Sequence, residues 1–133
     1  MKKLLIASVL LLGIGISGFA QTSQVRVIAL LNKASWCPVC QVNGARFTKD
    51  IMPMVMTNKQ IKIVKNDLLD DKTKGVPMKM LEKARIADFA KDNTATGMLY
   101  FLDDKTKKLI SKVSIAAPDG KIRQVFKEVL MKG

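Results

Sequence analysis

The sequence predicts a single α/β domain of order β-α-β-α-β-β-α, a central mixed sheet flanked by helices. Three observations carry that expectation. Residues 25–31 end as an unbroken apolar run, the pattern of a central strand covered on both faces. Strand-like runs then alternate with segments of helical composition, which calls for a sheet with helices packed on it. Near the C-terminus, Ile122, Val125, Phe126, Val129 and Leu130 recur at the i, i+3, i+4, i+7, i+8 spacing of a helix with one buried face.

The elements follow in order. A short loop after the first strand carries Trp36-Cys37-Pro38-Val39-Cys40. From Pro38, the pattern through Gln41, Val42, Ala45, Arg46 and Phe47 suits a helix, with proline in the first turn, where a missing N–H costs least. Cys37 then stands at that helix's N-terminus. Pro53 is expected to kink or restart the helix, leaving residues 54–58 as a separate turn. Residues 61–65 read as a second strand, bounded by Asn58 and by the polar stretch 70–75. Residues 77–93, rich in Lys, Glu, Ala, Met and Leu, read as one helix ending near Asn93. Residues 97–102 and 109–115 form two strands of an antiparallel hairpin around a charged turn.

The first twenty residues have the three-part layout of a secretory signal: Lys2 and Lys3, an apolar run over residues 4–16, then Ser17-Gly18-Phe19-Ala20. A membrane-spanning helix wants about twenty apolar residues, and this run is shorter and interrupted by Gly13, Gly15 and Ser17. Cleavage after Ala20 is expected, with a signal peptide at 1–20, a domain at 21–133 and a periplasmic or secreted location. Gln21 at the new N-terminus offers no cysteine for lipid attachment. What remains suffices for one compact domain, and no internal repeat is visible.

Both cysteines of the chain lie in the one motif. A bridge between Cys37 and Cys40 closes so short a loop that it removes little unfolded-state entropy, so a structural staple is a poor reading. A structural zinc site wants four ligands, and the chain offers two cysteines and no histidine. Dithiol redox chemistry is what the pair suits. A thiolate is the nucleophile in disulfide exchange, and the N–H groups and dipole of a helix N-terminus stabilise that anion on Cys37. Cys40, about one turn along, is placed to resolve a mixed disulfide formed at Cys37.

The chain carries 23 Lys plus Arg against 11 Asp plus Glu, and loss of Lys2 and Lys3 leaves 21 against 11, a net charge of +10. Lysines crowd residues 59–83 and the turn near 105–112. They could steer the domain toward anionic partners, but a solvated, Lys-rich exterior is the simpler reading. Trp36 and Tyr100 are the only Trp and Tyr, too few for the aromatic platform of a single-strand binder, so no nucleic-acid partner is expected. The helices show no exposed apolar stripe, which favours a monomer.

W-C-x-x-C after the first strand, within this element order, resembles the thioredoxin family over residues 24–132. The resemblance implies an exported thiol–disulfide oxidoreductase of the disulfide-reductase or cytochrome-maturation kind. Its only redox group would be the Cys37–Cys40 disulfide, with no separate cofactor or metal. Substrates would be protein thiols and disulfides, and a membrane electron-transfer or reoxidising partner is implied. Trp36 either covers the motif and offers an apolar surface to a substrate chain or packs against the first helix. Pro38 stiffens the loop and removes a donor, and Val39 adds neither charge nor donor. Strongly oxidising relatives often hold a histidine between the cysteines, so its absence leans toward a reducing or exchange role.

Two positions depart from the family pattern. Thr96 stands where a cis-proline usually faces the cysteines, and can reach Cys37 by hydroxyl or backbone; an alternative register puts Val76-Pro77 there instead. Leu31 stands where the family has a buried acid, so proton transfer at Cys40 needs water or another group. Lys65, on the second strand, either helps lower a thiol pKa or is a plain surface lysine. The runner-up function is Cu(I) binding by the two thiolates with Met52, Met54 and Met56, or with Met78 and Met80, although methionines so spaced more often fill cores. A third possibility is a binding protein with vestigial cysteines and a basic recognition face.

Overall fold

A computed structural model describes residues 24–68 and 75–133, residues 75–77 by their backbone alone. The predicted signal at 1–20, the start of the predicted domain and the polar stretch before Gly75 lie outside the described residues. The strands are β1 (Val27–Lys33), β2 (Ile61–Asp67), β3 (Met98–Asp103) and β4 (Leu109–Ser114), in sheet order β2-β1-β3-β4. β1 runs parallel to β2 and antiparallel to β3, which pairs antiparallel with β4, so the sheet is mixed and the predicted hairpin is present. Every residue of β1 from Val27 to Asn32 is buried, as its apolar run required of a central strand. β1 and β2 each end two residues beyond their predicted ends. The extension runs through Asn32 and Asn66, which face each other across the ladder and hydrogen-bond through their side chains at 3.0 Å.

The helices are α1 (Pro38–Arg46), α2 (Met52–Thr57), α3 (Gly75–Lys83), α4 (Ala87–Asp92) and α5 (Asp119–Lys132). The helix restarts at Pro53 as expected, with α1 and α2 joined by a π-helical turn, Phe47–Ile51, that the sequence did not announce. Proline's ring collides with the carbonyl four residues back in a regular helix. The wider turn, closed by Met52 N–H on the Phe47 carbonyl, lets the chain stay helical with Pro53 in the first turn of α2.

The single helix expected over 77–93 is two. Arg85 takes a left-handed φ of 59°. The Ile86 N–H then bonds the Leu81 carbonyl at 2.9 Å, and both side chains are buried, a helix stop closed by an apolar contact. No glycine or proline marks that stop in the sequence.

Alternation along the strands sends β1 side chains into two cores. Val27, Ala29 and Leu31 join Leu99 and Phe101 beneath α1, α2 and α5, where Phe101 and Phe126 meet edge to face at 4.8 Å. Ile28 and Leu30 join Val64, Tyr100 and Leu102 beneath α3 and α4. Ile122, Val125, Phe126 and Val129 of α5 are buried as their spacing predicts, and Leu130 is half-buried. Arg46, closing α1, hydrogen-bonds Asp119 and the carbonyls of Ile115 (2.5 Å) and Ala117 (3.2 Å), which fixes α1 against the β4–α5 turn. The described lysines of both clusters are exposed except Lys107, which pairs with Asp104 at 3.1 Å.

Candidate active site at the dithiol motif

β1 delivers the chain to the site, and a tight turn at Ala34–Cys37 aims it into α1, with Cys37 N–H on the Ala34 carbonyl at 3.3 Å. Cys37 is the N-cap of α1: its backbone is extended (φ −75°, ψ 115°) and its Sγ accepts from the Cys40 N–H at 3.2 Å. Sulfur thus occupies the place where a Ser or Asp oxygen ordinarily satisfies an orphan helix donor. Pro38 follows at the first helical position, exposed.

Both cysteines are free thiols. Burial pushes the Cys37 thiol up, but hydrogen bonds from the Cys40 thiol, the Thr96 hydroxyl and the backbone N–H groups of Cys40 and Val39 outweigh it, leaving Cys37 below the ordinary thiol range. Val39, expected to add no donor, supplies one from its backbone. Cys40 moves the other way. Burial raises it and the Cys37 sulfur raises it further, and backbone hydrogen bonds at Ala34 and Gly97 offset only part. Of the two thiols, Cys37 is therefore the one that ionises first as pH rises.

Thr96 reaches Cys37 from the segment between α4 and β3. Among the described residues no peptide bond is cis, and Pro77 is the third residue of α3. Gly97 completes this wall. Its φ is +71°, and a Cβ built there would lie 2.6 Å from Val39 Cγ1 and 3.7 Å from Cys37 Sγ, so the backbone of this segment abuts the motif directly. Trp36 is 60% exposed in the turn beside the cysteines and presents an apolar surface to solvent.

Behind Cys40 lies a cleft of about 300 Å³, lined among others by Leu31, Lys33, Phe47, Thr48 and Asp67. Leu31, at the place of the family's buried acid, is itself buried. Asp67 is the one carboxylate among the described lining residues; its Oδ2 stands 3.6 Å from Lys33 Nζ. Lys65 is exposed and is not among the groups acting on either thiol. No methionine lines the Cys40 cleft among the described residues: Met52 is buried in the core, Met54 Sδ accepts from Arg123 at 3.7 Å, and Met56 is exposed. Met78 and Met80 are exposed on α3.

Three participants escaped the sequence reading: Asn32, Asn66 and Gly97. Their signals were a polar residue directly following the apolar run of β1, a second one beyond Lys65 at the close of β2, and a glycine at a strand's edge.

The sheet order and helix placement, with a C-x-x-C pair capping the helix after a central strand, make this a thioredoxin-like fold. Solved structures agree on the fold. A Bacteroides thetaiotaomicron protein taken to be a protein disulfide isomerase superposes with a TM-score of 0.52 at 20% identity, over 81% of this chain and 76% of that one. Thioredoxin from Wuchereria bancrofti gives 0.51 at 19% identity, over 84% of each chain. No protein-family model matches the sequence, and no curated protein matches it.

Proposed function

We propose that this protein is an exported thiol–disulfide oxidoreductase that reduces or exchanges disulfides of other proteins. The observation that carries the proposal is the placement of the two thiols: Cys37 Sγ caps α1 and accepts from the Cys40 N–H at 3.2 Å, an environment that displaces Cys37 toward thiolate and Cys40 toward thiol. Cys37 S⁻ attacks a substrate disulfide, forming a Cys37–substrate S–S bond and expelling the other substrate sulfur as a thiolate that takes a proton. Cys40 then loses its proton and attacks Cys37 Sγ. The Cys37–Cys40 bond forms, the second substrate thiolate leaves, and two electrons have passed from protein to substrate. A dithiol reductant, supplied in an exported setting by a membrane electron-transfer partner, restores the pair. The Cys40 proton is assigned to Asp67, the carboxylate that shares its cleft, directly or through water.

Export rests on the signal layout of residues 1–20, with 21–133 as the working domain. The reducing direction rests on how Cys37 is stabilised. Pairs become strong oxidants when their reduced form is strongly stabilised. Here the stabilising groups are neutral hydrogen-bond donors, with no cation among them, and the chain has no histidine. Equilibration in graded dithiol/disulfide buffers is expected to give a two-electron couple nearer about −270 mV than about −120 mV. A value at the oxidising end would make the protein a disulfide donor, and the absence of a reversible couple would end the redox reading.

Accessibility and acidity favour different cysteines, since Cys37 is 1% exposed and Cys40 is half-buried. Acidity decides the order here, because only the thiolate attacks. Limiting iodoacetamide at pH 6–7 is expected to modify Cys37 first. The depressed pKa gives Cys37 a larger thiolate fraction than an ordinary cysteine at any pH below about 8.5, and the raised pKa gives Cys40 a smaller one. Peptide mapping that finds Cys40 labelled first would transfer the attacking role to it.

A further inference from the structure

Asn32 is out of character for its strand. It is fully buried at the end of a β1 whose other buried residues are all apolar, and burying a carboxamide is costly unless its donors and acceptor are all engaged. They are engaged in one direction. Nδ2 donates to the carbonyls of Asn93 (2.6 Å) and Ala95 (3.3 Å), and Oδ1 accepts from Asn66 Nδ2 (3.0 Å). Two carbonyls can be satisfied only by the amide's NH₂ end, which leaves Oδ1 to require a donor. Asn66, directly opposite on β2 and 6% exposed, supplies it and fixes the orientation. The Asn32 backbone carbonyl adds a third tie by accepting from Gly97 N–H at 2.8 Å.

All three ties fall on the segment 93–97, which abuts the dithiol: a Cβ built on Gly97 would lie 3.7 Å from Cys37 Sγ, and Thr96, the residue before it, is among the groups that lower the Cys37 thiol. Between the end of α4 and Gly97 this stretch has no regular structure, and Thr94 and Ala95 are exposed. Among the described residues, the only side chain from elsewhere in the fold that hydrogen-bonds its backbone is Asn32.

We propose that Asn32 is a positioning residue for the exchange reaction, its carboxamide, oriented by Asn66, holding the 93–97 segment so that the Thr96 hydroxyl stays on the Cys37 sulfur. The inference rests on the reading of Cys37 as the exchanging thiolate. A leucine of similar volume would pack at position 32 but release the Asn93 and Ala95 carbonyls. Thr96 would then move away from the sulfur, and the thiolate would lose a donor.

The test is a double-mutant cycle on the reduced protein, read as the pH midpoint of Cys37 thiolate absorbance, with folding checked by circular dichroism. Thr96→Val is expected to raise the midpoint by about one pH unit, a tenfold loss of thiolate at fixed pH below it. Asn32→Leu should raise it nearly as far, and should add nothing in the Thr96→Val background. An unchanged midpoint in Asn32→Leu, or shifts that add, overturns the proposal. If Asn32→Leu does not fold, Asn66→Leu takes its place, with a smaller shift that also vanishes without the Thr96 hydroxyl; no shift, or one that survives Thr96→Val, overturns the proposal. Exchange with a model disulfide separates the two levels. A wild-type protein that does not exchange defeats the oxidoreductase reading, while one that exchanges with Asn32 variants unaltered defeats only the role of Asn32.

Discussion

Cys37→Ser abolishes exchange with protein disulfides, down to the rate of the buffer alone, whereas Cys40→Ser still attacks and accumulates a mixed disulfide with its substrate. The difference follows from which sulfur carries charge. A serine hydroxyl at position 37 stays protonated at neutral pH and is no match for a thiolate, so the first S–S bond never forms. With Cys37 intact and Cys40 replaced, the first bond forms and nothing inside the protein can break it. Serine is also the right replacement at position 40. After burial, the largest influence on the Cys37 thiol is the hydrogen bond from the Cys40 side chain, and a serine hydroxyl can still donate it. Cys40→Ala removes that donor, so it should trap more slowly than Cys40→Ser and with its pH–rate profile displaced upward. Non-reducing gels and mass spectrometry of the trapped species read the outcome directly. Equal trapping by Cys37→Ser and Cys40→Ser would mean that the roles of the two cysteines are interchanged or shared.

The parts of the site legible in the sequence are those whose chemistry is local. Trp36-Cys37-Pro38-Val39-Cys40 announces itself because proline in the first helical turn and a three-residue cysteine spacing leave few other structures for the segment. Thr96 is legible only through the family resemblance, since nothing in its own stretch of sequence marks it; the fold sets it in the segment that abuts the motif, beside Gly97. Asn32 and Asn66 were not legible, because a carboxamide after the apolar run 27–31, or after Lys65, reads as the end of a strand. Only the facing strand shows that the two carboxamides satisfy each other. The same limit applies to the helices. The π-turn before Met52 is a response to Pro53 in three dimensions, and the stop at Arg85 is closed by Leu81 and Ile86, whose contact exists only once the α3–α4 core has formed. Element order and burial faces were written in periodicity, whereas the breaks were written in packing.

Gly97→Ala is expected to destabilise the protein by about 2–4 kcal/mol, the sum of left-handed backbone strain for an L-residue and overpacking against a fixed neighbour. Gly97 adopts φ +71°, and its added Cβ would come 2.6 Å from Val39 Cγ1 and 3.0 Å from Val39 Cβ. Neither atom is the free end of a long side chain, so relief requires α1 or the 93–97 segment to shift. Either movement separates Thr96 and Cys37, and the exchange rate at pH 7 should fall together with stability. Two companion variants divide the effect. Val39→Ala in the Gly97→Ala background removes the collision but not the backbone strain, and should recover about half of the lost stability. Gly120→Ala, in α5 with nothing within 4 Å of its added Cβ, should be neutral or stabilising by about 0.5–1 kcal/mol. Urea denaturation provides the midpoints. A Gly97→Ala protein within about 0.5 kcal/mol of wild type, the ordinary range for an unconstrained surface substitution, would show that the wall facing the dithiol is not packed as closely as these distances require.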